Sequence, residues 1–212
     1  KFSFQSGELS EPRLSDSIDT TGLQILRSRR SINRGEGETD RGQYDHSTDV
    51  FGVSAAAALY RRTALADVQI GNEFFDDDFF AYKEDVDLAW RLQRRGWTAR
   101  FVPEAIAHHH RGVTGDSRSD ARLLRQRQRH SRFINGYSYA NHLSMLLKNE
   151  AGRTLLPDLP WIVSYEFKKF VYLLFFEPGT LRSLGRLLRR LPSLLAKRRF
   201  IRTHERVAAS NI

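Results

Sequence analysis

Cysteine is absent from the 212 residues, which excludes disulfides and thiolate metal centres and fits a reducing compartment. Methionine occurs once, at Met145, and the chain opens on KFSFQSG with neither an initiator nor a signal peptide. Lys1 is therefore expected to be the edge of a fragment or of a processed product. Long uncharged apolar runs are missing too. The most hydrophobic stretch, WIVSYEFKKFVYLLFFEP, is interrupted by Glu166, Lys168 and Lys169. A spanning helix needs roughly 20 largely uncharged residues, so this stretch does not qualify. Internal repeats and low-complexity tracts are likewise absent.

What is present favours a folded domain. Hydrophobic residues make up 40% and aromatics 11%, enough for a substantial core. The formal charge of +9 and the pI near 10.2 call for an anionic partner: nucleic acid, phospholipid or a phosphorylated small molecule. The excess is not spread evenly. Residues 60–110 mix both signs, whereas Arg111, Arg118, Arg122, Arg125, Arg127, Arg129 and Arg132 form one basic segment. The tail after Pro178 forms the other.

Residues 1–48 are polar, and RSINRGEGETDRGQYDHST follows neither a helical nor a strand period, which predicts a long surface loop. Val50 to Tyr60, small and branched, predicts a strand buried on both faces. NEFFDDDFFAY predicts a turn. The next segment predicts a helix: Glu84 and Asp85 suit the positive end of the macrodipole, and Val86, Leu88, Ala89, Trp90 and Leu92 recur at helical spacing. Arg94 and Arg95 fall in its last turn, and Gly96 stands where a left-handed residue ends a helix. WTARFVPEA predicts a strand ending at Pro103. A second helix is expected from Asp120 to about Asn149, then a break at Gly152–Pro160. The tail, residues 150–212, predicts basic amphipathic helices broken by Pro192, of the aromatic and arginine-rich kind that lies on a membrane surface.

Several groups have the chemistry of a site. Glu84 and Asp85 serve either as helix-starting acids or as a general base aimed at an incoming hydroxyl. Of His108, His109 and His110, alternate side chains face one way in an extended segment. His109 alone, or His108 with His110, can face one ion. One imidazole with phosphate oxygens and a carboxylate suits Mg²⁺ or Mn²⁺. Asp76–Asp77–Asp78 contains an Asp-x-Asp pair, but its setting among phenylalanines favours a turn with solvated acids. The arginines from Arg111 onward either clamp a diphosphate or cover a solvated helical face.

The order of these features is more telling than any one of them. FGVSAAAALYRR followed by FFDDDFFAYKEDVDLAWRLQRRGWTARFVPEAIAHHHRG resembles the C-terminal half of bacterial family 2 glycosyltransferases, particularly the rhamnosyltransferase-like group. The matching positions are Phe79, Phe80, Tyr82, Glu84, Asp85, Asp87, Leu88, Arg91, Gly96, Val102, Pro103, Ala105 and a histidine of the triplet. The segment IDTTGL and the loop RGEGETDRGQYD extend the resemblance over about residues 15–149. It implies an α/β chain forming the C-terminal half of a GT-A (nucleotide-diphospho-sugar transferase) fold in residues 1–149, followed by the amphipathic helical tail.

The implied reaction is an inverting transfer from a nucleotide-diphosphate sugar to a hydroxyl of a glycan or lipid-linked acceptor. The implied setting is cell-surface polysaccharide synthesis at the inner, cytoplasmic face of the membrane. Carried over by position, Asp85 is the base and Glu84 its acceptor-binding neighbour. Ser54, Tyr82, Trp90 and Arg111 are candidates for substrate binding, although Trp90 also reads as core. His109, with His108 as rival, is the metal ligand. Two departures stand out: Ala55 or Ala56 occupies a place that is often glycine, and the family's donor-binding half is missing, so this chain alone is expected to be inactive. The rival classes are a basic nucleic-acid-binding protein, for which no known binding signature is present, and a non-catalytic membrane-surface protein.

Overall fold

The computed structural model describes residues 2–3, 13–14, 16–109, 132–150 and 152–207. Among the described residues, six short strands pair as three antiparallel two-stranded sheets. Strands β1 (Phe2–Ser3) and β2 (Arg13–Leu14) form one, and β3 (Leu23–Ile25) and β4 (Ser31–Asn33) form the second. The third joins β5 (Asp49–Val50) to β6 (Ala99–Arg100). Helices carry the rest: α1 (Arg62–Val68), α2 (Glu84–Arg94), α3 (Arg132–Asn149), α4 (Gly152–Phe176), α5 (Pro178–Leu181) and α6 (Leu184–Thr203).

Helix α2 is the hub, and its limits follow from the sequence. Glu84, Asp85 and Asp87 occupy its first turn, where the exposed N–H ends attract negative charge. Its end is a Schellman motif: Gly96 N donates to Gln93 O at 2.9 Å and Trp97 N to Leu92 O at 3.0 Å. Gly96 has φ +85°, a conformation that a side chain would strain. Val86, Ala89 and Trp90 pack with Leu23, Phe79 and Met145 in the main core. The chain passes so close to α2 at Gly52 that an added Cβ would lie 2.3 Å from that of Ala89. Only glycine fits there.

Several sequence expectations give way. Val50 to Tyr60 is not a strand: β5 ends at Val50 and a 3-10 turn occupies Ala55–Ala57, all three alanines exposed. Small side chains there mark an open turn, not a doubly buried strand. Pro157 and Pro160 lie within α4, and Pro192 lies within α6. Each proline forfeits one backbone bond, and packing of α6 along α3 holds the helix through its own. Of the second expected helix, residues 132–149 are seen as α3; its earlier part lies outside the described residues.

The acids at 76–78 do form a turn, but Asp76 is not solvated. It is buried between Lys148 of α3 and Lys197 of α6, the latter at 2.7 Å. Lys148 also lies 2.8 Å from Asp87, which accepts from Arg91 at 3.0 Å and from the Asn149 amide at 2.6 Å. The tail therefore packs on the rest of the chain through ions. Lys197 reaches Glu73, Arg94 reaches Glu205 at 2.9 Å, and Arg206 N donates to Arg94 O.

The candidate active site at the start of helix α2

A strained turn presents the two acids. Phe80, Tyr82 and Lys83 have φ of 56°, 69° and 72°, the left-handed region that non-glycine residues avoid. The chain reverses sharply there and enters α2 at Glu84. Asp85 Oδ1 accepts from the Val86 amide at 2.8 Å, and Oδ2 lies 3.4 Å from the Ala55 amide. The turn from Ser54 to Ala57 is thereby brought against the Asp85 carboxylate, with its exposed alanines beside it. Ser54 and Asp85, separately singled out in the sequence, thus border the same place.

Glu84 differs from its neighbour. Its Oε2 is buried without a hydrogen-bond partner among the described residues. Burial raises its pKa, and the adjacent Asp85 charge adds to the rise, while the backbone N–H works against it. Tyr60 lies within the field of both acids; burial first, then Asp85 and Glu84, push its phenol to about 12. Lys83, the residue before the pair, donates to Ser31 Oγ of β4. Burial lowers its pKa despite the nearby Asp85 and Glu84. The site thus combines an ionisable pair, one buried unpaired oxygen and a lysine drawn inward.

The other candidates divide. Tyr82 sits in the strained turn with its side chain partly exposed, beside the acids. Trp90 is buried edge-on to Phe51, ring centroids 5.9 Å apart, so its place is the core and the substrate-binding expectation is corrected. Arg111 lies outside the described residues, as does His110. His109 Nδ1 is 3.0 Å from Asp19 Oδ2, which ties the histidine segment to IDTTGL. Among the described residues no group of three or more histidines and carboxylates could hold a metal ion. His109 with Asp19 behind it would supply one imidazole, and His108 is its neighbour in the chain. The described residues alone do not build a site for Mg²⁺ or Mn²⁺.

Sequence reasoning missed the layer beneath the turn. Asn141 of α3, almost fully buried, shares the two N–H groups of its Nδ2 among the carbonyls of Phe79, Ala81 and Tyr82, at 2.7, 2.8 and 2.9 Å. Its neighbour His142 lies 2.7 Å from Glu166 Oε1 of α4. Burial, aided by Lys169, outweighs that carboxylate and lowers the His142 pKa from 6.5 to about 4. Nothing in the sequence signals it: Asn141 and His142 stand in a mixed run, NGYSYANHLSM, with polar residues on either side.

These depressed values set a pH dependence. A group whose pKa falls on folding contributes stability above its unfolded value and loses it as the pH drops through its folded value. For His142 the loss runs from pH 6.5 down to about 4. For Asp76, which burial raises but Lys148 and Lys197 lower further, it runs from 3.8 to about 2. Thermal melts in steps of pH should show both losses, and the His142→Gln variant should lack the first. A melting temperature flat between pH 6.5 and 4 would contradict the assignment.

The model for "Glycosyl transferase family group 2" matches residues 36–196, more than half of the chain. Two curated relatives, the N-acetylglucosaminyl-diphospho-decaprenol L-rhamnosyltransferases of Mycobacterium tuberculosis strains CDC 1551 / Oshkosh and ATCC 25618 / H37Rv, are each 42% identical over 59 residues. That stretch is 28% of this chain and 18% of each relative. No solved structure gives a significant match. By the family match over residues 36–196, the chain belongs to glycosyl transferase family group 2.

Proposed function

We propose that the chain carries the acceptor side of an inverting GT-A glycosyltransferase that moves a sugar from a nucleoside-diphosphate donor to a hydroxyl of a lipid-linked or cell-surface glycan. The observation that supports it best is the Asp85 carboxylate, held at a helix start by the Val86 amide and facing the open Ser54–Ala57 turn. In this mechanism the acceptor hydroxyl attacks the anomeric carbon as Asp85 takes its proton. The nucleoside diphosphate leaves with the bonding electrons. Glu84 accepts a neighbouring acceptor hydroxyl, and Ser54 and Tyr82 border the bound sugar. L-Rhamnose is the sugar named for the two relatives and the first donor to try.

A second assignment has Glu84 as the base, favoured by its raised pKa and its unpaired buried oxygen. Glu84→Gln and Asp85→Asn variants separate the two. The whole reading is tested with the full-length protein, a panel of nucleoside-diphosphate sugars and polyprenyl-diphosphate acceptors. Acceptor-dependent release of nucleoside diphosphate is expected. No release with any pair would remove the enzymatic reading and leave a non-catalytic surface protein or a basic nucleic-acid binder.

The acceptor class agrees with the outer face of α4, where Leu156, Trp161, Val163, Phe167, Phe175 and Phe176 are exposed. No helix among the described residues is long and apolar enough to cross a membrane. Exposed apolar and aromatic side chains in this number, in a segment that also carries Lys168, Arg182 and Arg189, suit the interface of an anionic bilayer on the cytoplasmic side. Replacing Phe175 and Phe176 with serine removes two anchors, each worth about 1.5–3 kcal/mol when fully buried. Binding to vesicles containing phosphatidylglycerol should fall by about tenfold or more. Unchanged flotation would assign that face to another partner.

A further inference from the structure

We propose that Asn141 is a positioning residue for transfer: its side-chain amide clamps the left-handed turn at residues 79–83 and so aims Glu84 and Asp85. The inference rests on the reading of that pair as the transfer chemistry. Three observations support it. First, the turn holds three non-glycine residues at positive φ, an arrangement that surrounding structure must maintain. Secondly, burial gives the apex little hold, since Phe80 is 74% and Tyr82 43% exposed, with Phe80 meeting the rings of Tyr137 and Phe133 of α3 at its edge. Thirdly, one buried amide meets three carbonyls within four residues, those of Phe79, Ala81 and Tyr82, and the Ala81 amide closes back onto Phe79. The turn is stitched from below while its outer surface stays open.

The consequence is geometric. The Lys83 carbonyl accepts the Asp87 amide at 2.9 Å, so the turn's last residue is also the first link of α2. Releasing the clamp lets residues 80–83 relax towards ordinary dihedrals and shifts the entry of α2. A displacement of about 1 Å at a reacting group costs on the order of a hundredfold in rate. Asn141 touches no reacting atom in this arrangement, so the effect should fall on kcat and leave acceptor KM nearly unchanged.

The test uses the full-length protein with Asn141→Ala, Phe80→Gly and the double variant. Glycine adopts the positive φ at no steric cost, so Phe80→Gly should make the clamp less necessary. Asn141→Ala alone should lower kcat about 10- to 100-fold with acceptor KM within about threefold. In the Phe80→Gly background the same change should cost less than about fivefold. Hydrogen exchange of the segment 79–90 should speed up in Asn141→Ala, and this readout needs no activity. Equal losses in both backgrounds, or wild-type exchange in Asn141→Ala, overturn the proposal. If Asn141→Ala unfolds and the double variant does not, the clamp is supported; if both unfold, Asn141 is a general fold determinant and the proposal falls. If the wild type transfers no sugar yet exchange still responds, the transferase reading fails and the clamp on the turn stands.

Discussion

The Lys148→Ala variant is expected to lose about 3–5 kcal/mol of stability, the cost of leaving a buried ion without its partner. Lys148 is fully buried, and so is Asp87 at 2.8 Å; Asp76 is 3% exposed. Its ammonium also lies 4.8 Å above the ring of Phe79. Removing it strands two carboxylates in the interior, and Lys197 and Arg91 relieve each only in part. For a chain of this length the melting temperature should drop on the order of 10 °C. The Arg100–Asp49 pair is the control: at 3.4 Å with both side chains mostly exposed, its loss should cost less than about 1 kcal/mol. Thermal or urea unfolding of both variants checks the contrast. Equal effects would mean that Lys148 is not the buried ion described.

Asp85→Asn should lower kcat by about a hundred- to ten-thousand-fold, the usual contribution of a positioned general base. The amide keeps the size of the carboxylate and can still accept from the Val86 amide, so the fold should hold. It cannot take the acceptor proton. Acceptor KM should change by less than about threefold, because the group acts in the transition state and not in ground-state binding. Glu84→Gln should do the opposite, raising acceptor KM with a smaller effect on kcat. If the two results come out exchanged, Glu84 is the base, as its raised pKa would allow.

Helix α2 was readable from its sequence because everything that defines it is local. Its acids, its apolar spacing and Gly96 lie within a dozen residues of one another, and they produce the observed span and Schellman end. Asp87 pairs with Arg91 one turn away, a contact of the same local kind. Asp76 was not. Its partners lie 72 and 121 residues further on, and a carboxylate flanked by acids and phenylalanines looks the same whether solvated or paired. Asn141 was hidden by a different cause: asparagine in a helix interior carries no signal for three carbonyls on another element. The strand expected at Val50 to Tyr60 failed because small apolar residues suit an open turn as well as a buried strand. The family came from the order of motifs, and the family match over residues 36–196 bears it out.

The most direct test of the central claim is the anomeric configuration of the product, read by proton NMR after transfer by the full-length protein. One base at the start of α2 permits a single displacement, so the transferred sugar should carry the opposite configuration at its anomeric carbon from that in the donor. A product with the donor's configuration would require two displacements or attack from the leaving group's own face, and either would contradict the role given to Asp85.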